Sequence, residues 1–184
     1  MDTCGKKISD KKQSALSYLH DFVILLAVIL FVFLLLGRIV VVSGPSMMNT
    51  LIDGDYLLVV GKPFYNTPRV GDVVVVSKDT FKSGEPIIKR VIATEGQTLD
   101  IDFETGTVTV DGVVIDEPYI KDLTTRKGDA EIPAVVPKDT VFVMGDNRNH
   151  STDSRFTAVG LIDEDNIIGK AQYVVLPFDR FKKL

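Results

Sequence analysis

Cysteine and histidine are almost missing from this 184-residue chain, and tryptophan is missing altogether. The single cysteine, Cys4, excludes an internal disulfide and any cysteine-built zinc site. With only His20 and His150, a metal centre holding several imidazoles is excluded too. Carboxylates alone could hold magnesium or calcium, but no calcium-loop spacing occurs, and no metal or cofactor is expected. The charge balance is mildly acidic, −4 from 21 basic and 25 acidic side chains. No basic patch is large enough to serve nucleic acid, which is therefore not expected as a partner. The chain also lacks internal repeats and low-complexity linkers. A 45% apolar content excludes disorder as the main state, and the length suits one ordinary domain with an appendage.

The longest feature present is apolar. Phe22 to Leu36 is fifteen apolar residues without a break, and continuing through Gly37, Arg38 and Ile39 to Val42 gives 21. A spanning helix needs roughly 20 mostly apolar residues. Tyr18 and Leu19 extend the helix upstream, and Arg38 can snorkel to the far interface. A cleaved signal peptide is the rival reading, but Gly-Arg-Ile-Val-Val-Val follows where a small-x-small cleavage site should stand. A buried core helix does not suit so uniformly apolar a run in a chain this small. The pattern predicts a single uncleaved transmembrane helix. Lys6, Lys7, Lys11 and Lys12 precede it and Arg38 alone follows closely, so the positive-inside rule places the N-terminus in the cytoplasm. The expected organisation is a cytoplasmic tail, residues 1–21, a plasma-membrane anchor, residues 22–38, and an extracytoplasmic domain, residues 39–184. Cys4 then lies in the reducing compartment, and the outer domain has no thiol.

Beyond the anchor the pattern is that of strands. Tyr56 to Val60, Val73 to Val76, Ile87 to Ala93, Thr107 to Val110, Val113 to Ile115, Val141 to Met144 and Gln172 to Leu176 are rich in Val and Ile. Turn pairs bound most of them, and Asp111-Gly112 between two such runs predicts a hairpin. No long stretch has a helical period. The expected fold class is mainly β: one N-terminal transmembrane helix followed by an antiparallel β-sheet domain with one core.

Three segments of that domain carry reactive groups. Ser43 to Leu51 holds Ser46 just beyond the anchor. Ile87 to Ile92 places Lys89 and Arg90 side by side in a strand, so that one shares a face with Ile87 and Val91 and the other with Ile88 and Ile92. Pattern alone favours an edge strand with both charges solvated. Gly145 to Arg155 gathers two acids, two arginines and several hydroxyls into eleven residues. Nucleophilic catalysis needs an activated hydroxyl or thiol and a base, and among histidines only His150 is available outside.

Taken in order, the N-terminal anchor, the Ser-Met-Met segment at Ser46, Gly71-Asp72-Val73-Val74, Lys89-Arg90-Val91-Ile92, Glu117-Pro118-Tyr119 and the block Gly145 to Arg155 resemble the bacterial type I signal peptidases, in particular the Gram-positive branch. The resemblance covers nearly the whole chain. It implies a membrane-bound serine endopeptidase that removes signal peptides from exported preproteins, cutting after small residues in an Ala-x-Ala pattern. Preproteins and membrane lipid are the partners implied, near the secretion translocon. By the same resemblance, Ser46 is the nucleophile and Lys89 the general base. At an ordinary pKa of about 10.4, only roughly one lysine in a few thousand is neutral at pH 7, so the base must be desolvated. Ser151 would hydrogen-bond and orient the lysine, Asp146 would pair with Arg90, and Asp153 with Arg155. An aspartate close to Lys89 would stabilise its ammonium, so both acids are expected to face arginines. The Ser46 N–H would serve the oxyanion hole, while Gly44 stands where some members carry a second donor. Val42, Met47, Leu51 and Ile88 are candidate walls of a shallow substrate pocket, with ordinary core as the alternative. Ser46 is ten residues past Leu36, which tethers it within about 35 Å of the membrane.

The chain departs from that family pattern in places. Asn49 replaces a common proline and suggests a looser turn behind the nucleophile. Ala93-Thr94-Glu95-Gly96 and Asn149-His150 also differ. Two other functions stay open. One is a membrane-anchored β-domain that binds a partner without catalysis. The other is a protease that uses Ser46 with His150.

Overall fold

The structure, a computed structural model, describes residues 16–30, 37–62, 64–78, 81 and 84–184. The chain divides into two units, Met1–Gly37 and Arg38–Leu184. In the first, residues 16–30 are helical. Among the described residues no helix is long and apolar enough to cross a membrane. Residues 31–36, the rest of the expected anchor's apolar run, lie outside the described residues, as does the tail before residue 16. Gly37 and Arg38, read above as the end of the anchor, instead open strand β1 (Gly37–Val41).

The second unit is mainly β, and its central strands show why. β3 (Val73–Val76) is four consecutive valines, all buried. Their branched side chains suit the pleated backbone and allow both faces to be covered. β4 (Ile87–Thr94) is buried at every position except its two ends. With β2 (Tyr56–Gly61), β8 (Thr140–Met144), β9 (Ile162–Asp163) and β10 (Ile167–Leu176), these strands form one sheet in the order β1-β2-β10-β3-β4-β8-β9. β11 (Lys182–Lys183) pairs with β10. β10 runs antiparallel to both β2 and β3, and its register shifts bend it between them. Gly169 permits this, because a Cβ there would lie 2.4 Å from Val60 O.

β4 is thus an inner strand, with Val74 opposite Lys89 on one side and Met144 opposite Arg90 on the other. The edge-strand reading of Lys89 and Arg90 is corrected. Both cations are buried, because nonlocal partners cover each face of β4. A second, smaller sheet, β5 (Leu99–Asp102), β6 (Thr107–Val110) and β7 (Val113–Val114), packs Leu99, Ile101, Val108 and Val110 against Ile92 of β4 and Phe142 of β8. The Asp111-Gly112 hairpin joins β6 to β7, with both turn residues at positive φ as that tight turn requires.

Candidate active site

Ser46 sits in a turn between β1 and β2 that is fastened from within. The amides of Thr50 and Leu51 both donate to Met47 O, at 3.0 and 2.8 Å. Met47 and Leu51, four residues apart, drop from the same side of this turn into the core beside Leu57 and Val59. Burying those two side chains anchors the turn, and Ser46 lines a cleft of about 240 Å³. Lys89 approaches the same cleft from β4. Its Nζ lies 2.8 Å from Ser46 Oγ and donates to Ile88 O at 3.0 Å. Lys89 is only 3% exposed.

The neighbouring cation meets different groups. Arg90 Nε and Nη2 donate to the two carboxylate oxygens of Asp146 at 2.8 and 2.7 Å, and Nη1 donates to Gly71 O. Tyr119 lays its ring against the guanidinium, 3.9 Å from the ring centre. Thr50 Oγ1 also donates to Asp146, so the turn that carries Ser46 is tied to the ion pair. Arg155 Nε and Nη2 donate to both oxygens of Asp153 at 2.8 Å, and Asp153 in turn accepts the Gly145 N–H. Both aspartates therefore face arginines, as the pairing argument expects.

Several residues to which the sequence assigned no role complete this frame. Arg148 is fully buried and donates to both oxygens of Glu117, to Thr124 Oγ1 and to Gly145 O. Tyr119 donates to Glu117 at 3.1 Å, and burial, then the Glu117 charge, push its phenol well above its usual range. Gly145 faces the Ser46 backbone directly, since a Cβ there would lie 2.4 Å from Ser46 O and 2.3 Å from Ser151 Oγ. Arg148 and Gly145 lie in the polar block already noted; Glu117 and Tyr119 belong to a short motif whose reach to Arg90 and Arg148 no local pattern reveals.

Other expectations need correction. Ser151 is buried beside this glycine, but its hydroxyl makes no hydrogen bond among the described residues, so the bond to Lys89 is not formed. Its Oγ is turned toward the bare Cα of Gly145 instead. Of the candidate pocket walls, Val42, Met47 and Ile88 line the cleft, whereas Leu51 does not and belongs to the core. Asn49 does not loosen the Ser46 turn. Its φ is 80°, a conformation closed to proline, and its Nδ2 donates to Ile120 O at 3.1 Å. Asn149 likewise holds the loop above, donating to Leu123 O and accepting from the Thr125 and Arg126 amides. His150 is exposed at the cleft and shares no hydrogen bond with Ser46 among the described residues. Among the described residues, no three His, Cys, Asp or Glu side chains converge as a metal site would require.

Comparison with known proteins places this arrangement. The family model for "Signal peptidase, peptidase S26" matches residues 15–176, which include every site residue above. Signal peptidase I of Bacillus licheniformis is 31% identical over 97% of each chain. Signal peptidase IB of Staphylococcus aureus is 34% identical over 89% of this chain and 93% of its own. A solved signal peptidase I from Enterococcus faecalis superposes with a TM-score of 0.50 at 24% identity, over 59% of this chain and 99% of that one, a likeness of fold alone. On the match of the family model and the identity to these relatives, the chain belongs to the S26 family of signal peptidases.

Proposed function

We propose that the chain is a membrane-bound serine endopeptidase that removes signal peptides from preproteins with a Ser46–Lys89 dyad. The observation that carries this reading is the 2.8 Å approach of a buried lysine amine to the Ser46 hydroxyl. Burial disfavours an ammonium, and a neutral amine has a lone pair to accept the hydroxyl proton. Ser46 Oγ then attacks the carbonyl carbon of the scissile bond, and Lys89 takes the proton. The tetrahedral oxyanion forms against the Ser46 N–H, which donates to no other group among the described residues. Collapse breaks the C–N bond, Lys89 returns the proton to the leaving amine, and a water molecule repeats the sequence to release Ser46. Serine–lysine pairs are an accepted variant of this logic.

The ion pairs set the division of labour. Asp146 and Asp153 are neutralised by guanidinium groups that keep their charge at any working pH. Arg90, Asp146, Asp153 and Arg155 are thus supports, with Ser151 a polar neighbour of the reacting pair. Val42, Met47 and Ile88 give the cleft an apolar wall, suited to small residues before the cut. A wall of this kind works by excluding larger side chains; single methylenes are separated by only about 1–3 kcal/mol.

For residues 22–36 we infer a membrane anchor, with the N-terminal tail in the cytoplasm and the β-domain outside. Fifteen consecutive apolar residues and the flanking lysines support this reading. Preproteins, lipid and the neighbourhood of the secretion translocon follow as the setting.

The test is cleavage of a preprotein with an Ala-x-Ala site by the full chain in detergent. Ser46→Ala and Lys89→Ala are each expected to abolish cleavage, and His150→Ala to preserve it. Wild-type rates from either of the first two would falsify the dyad; loss only in the third would move the base to His150.

A further inference from the structure

Asn147 is 98% buried and holds the nucleophile's backbone at two successive carbonyls. Its Nδ2 donates to Pro45 O and its backbone N–H donates to Ser46 O, each at 3.0 Å. The first bond has a geometric consequence. Pro45 C=O and Ser46 N–H belong to one planar trans peptide and point in opposite directions. Fixing the oxygen therefore fixes the direction of the N–H.

The second contact limits the remaining freedom. Ser46 O lies against the bare Cα of Gly145, where even a Cβ would come within 2.4 Å. This oxygen is on the next peptide unit, so the Asn147 side chain and backbone hold the two peptides that flank the Ser46 Cα. Meanwhile Asn147 Oδ1 is buried and makes no hydrogen bond among the described residues. An orphaned amide oxygen is costly, and the flipped amide would set two acceptors face to face at Pro45 O. The arrangement thus retains a donor toward Pro45 at the expense of its own acceptor.

We propose that Asn147 is a positioning residue that aims the Ser46 N–H at the developing oxyanion. The proposal rests on the dyad reading above and adds a residue outside the dyad. A donor matters to the rate only if it points to where the charge forms, so the loss on substitution belongs to the transition state.

The experiment compares wild type with Asn147→Asp, which keeps the shape but replaces the donating amide, and Asn147→Ala. Preprotein cleavage is expected to lose at least tenfold in kcat, with KM changed less than twofold. Binding of a peptide aldehyde is measured beside that of the same peptide as an unreactive amide. The aldehyde adds Ser46 Oγ to its carbonyl carbon, the carbonyl electron pair becomes the oxyanion, and the hydroxyl proton passes to Lys89. Both variants should weaken the aldehyde by the factor seen in kcat and leave the amide unchanged. Because this is a ratio within one sample, partial unfolding cancels. A kcat within twofold of wild type, or equal weakening of both ligands, would overturn the proposal. Ser46→Ala separates the two levels. If it cleaves like wild type, the dyad itself fails and this inference with it. If it is inactive while the Asn147 variants behave as wild type, only the aiming role fails.

Discussion

The two halves of the site meet at adjacent residues of β4, and they bury positive charge in different ways. On the Arg90 side, a guanidinium is clamped by both oxygens of Asp146, covered by Tyr119 and linked through Thr50 to the nucleophile turn. On the Lys89 side, the amine touches the Ser46 hydroxyl and the Ile88 carbonyl. A bidentate ion pair favours the charged form; the Ser46 hydroxyl is the group that the proposed dyad asks Lys89 to deprotonate. The Arg90 half is built to keep its charge, whereas the proposed dyad asks the Lys89 half to give its charge up. One strand with one burial pattern thus carries a clamped cation and, on the proposed reading, a base.

The sharpest way to break this contrast is Lys89→Met. Cleavage should fall by about 10⁴-fold or more in kcat, roughly 5.5 kcal/mol of barrier, since losing one member of such a catalytic unit removes most of its effect. The urea midpoint should hold or rise, because an apolar chain of similar volume replaces a buried amine. A large fall in stability would mean that Lys89 is a structural cation after all.

Arg90→Met should do the opposite. It leaves the Asp146 carboxylate, fully buried, with Thr50 Oγ1 as its remaining hydrogen-bond donor among the described residues, and breaking such a pair costs about 3–5 kcal/mol. Urea unfolding reads this directly. Adding Asp146→Leu should recover part of the loss, because a pair replaced on both sides leaves no unpaired charge. If the double variant is no better than the single one, Asp146 is held by more than Arg90.

How much of this could be read beforehand depends on range along the chain. β2, β3, β4, β6, β7 and β8 announce themselves as Val- and Ile-rich runs between turns. β1 was hidden because Gly37–Val41 continues an apolar run, and the first half of β10 because Gly169 and Lys170 interrupt it. Leu99–Asp102 alternates buried and exposed residues as a half-covered strand should, yet two aspartates in four residues mask it. At the site, Ser46 and Lys89 were legible from their motifs. The burial of Arg148 was not, because its partner Glu117 is 31 residues away and nothing local requires the contact. The solvated reading of Lys89 and Arg90 failed for the same reason. Whether a strand is inner or edge is decided by β3 and β8, not by its own residues.

A third ion pair grades the comparison. Arg180 donates twice to Asp55, at 2.8 and 2.9 Å, from a position where the arginine is partly open to water. Burial alone would raise the Asp55 carboxyl. The hydrogen bonds from Arg180 and the Ile52 amide, with the charges of Arg180 and Lys182, bring it below its ordinary value. A carboxyl depressed in the folded state stabilises above its unfolded pKa of about 3.9 and loses that contribution as pH falls through the folded value. Acid unfolding should therefore steepen below about pH 4, and Asp55→Asn should flatten that limb. Near neutral pH the same substitution should cost about 1.5–3 kcal/mol, the range for hydrogen bonds to a charged group and less than the loss at Arg90. An unchanged acid limb in Asp55→Asn would remove Asp55 from the account of acid stability.

The smallest effect is expected where water reaches both partners. Lys62 Nζ lies 2.9 Å from Asp165 Oδ1, as close as many contacts within the site, but Asp165 is fully exposed and Lys62 nearly half so. Solvent screens the pair, and ordering two mobile side chains offsets the attraction. Lys62→Ala, Asp165→Ala and the double variant should share the wild-type urea midpoint, with no coupling between the two changes and no effect on cleavage. A measurable coupling here would show that distance alone sets the strength of these pairs. The distinction between the two cations of β4 would then need another cause, because it depends on burial and on the chemistry of the facing groups rather than on how near they stand.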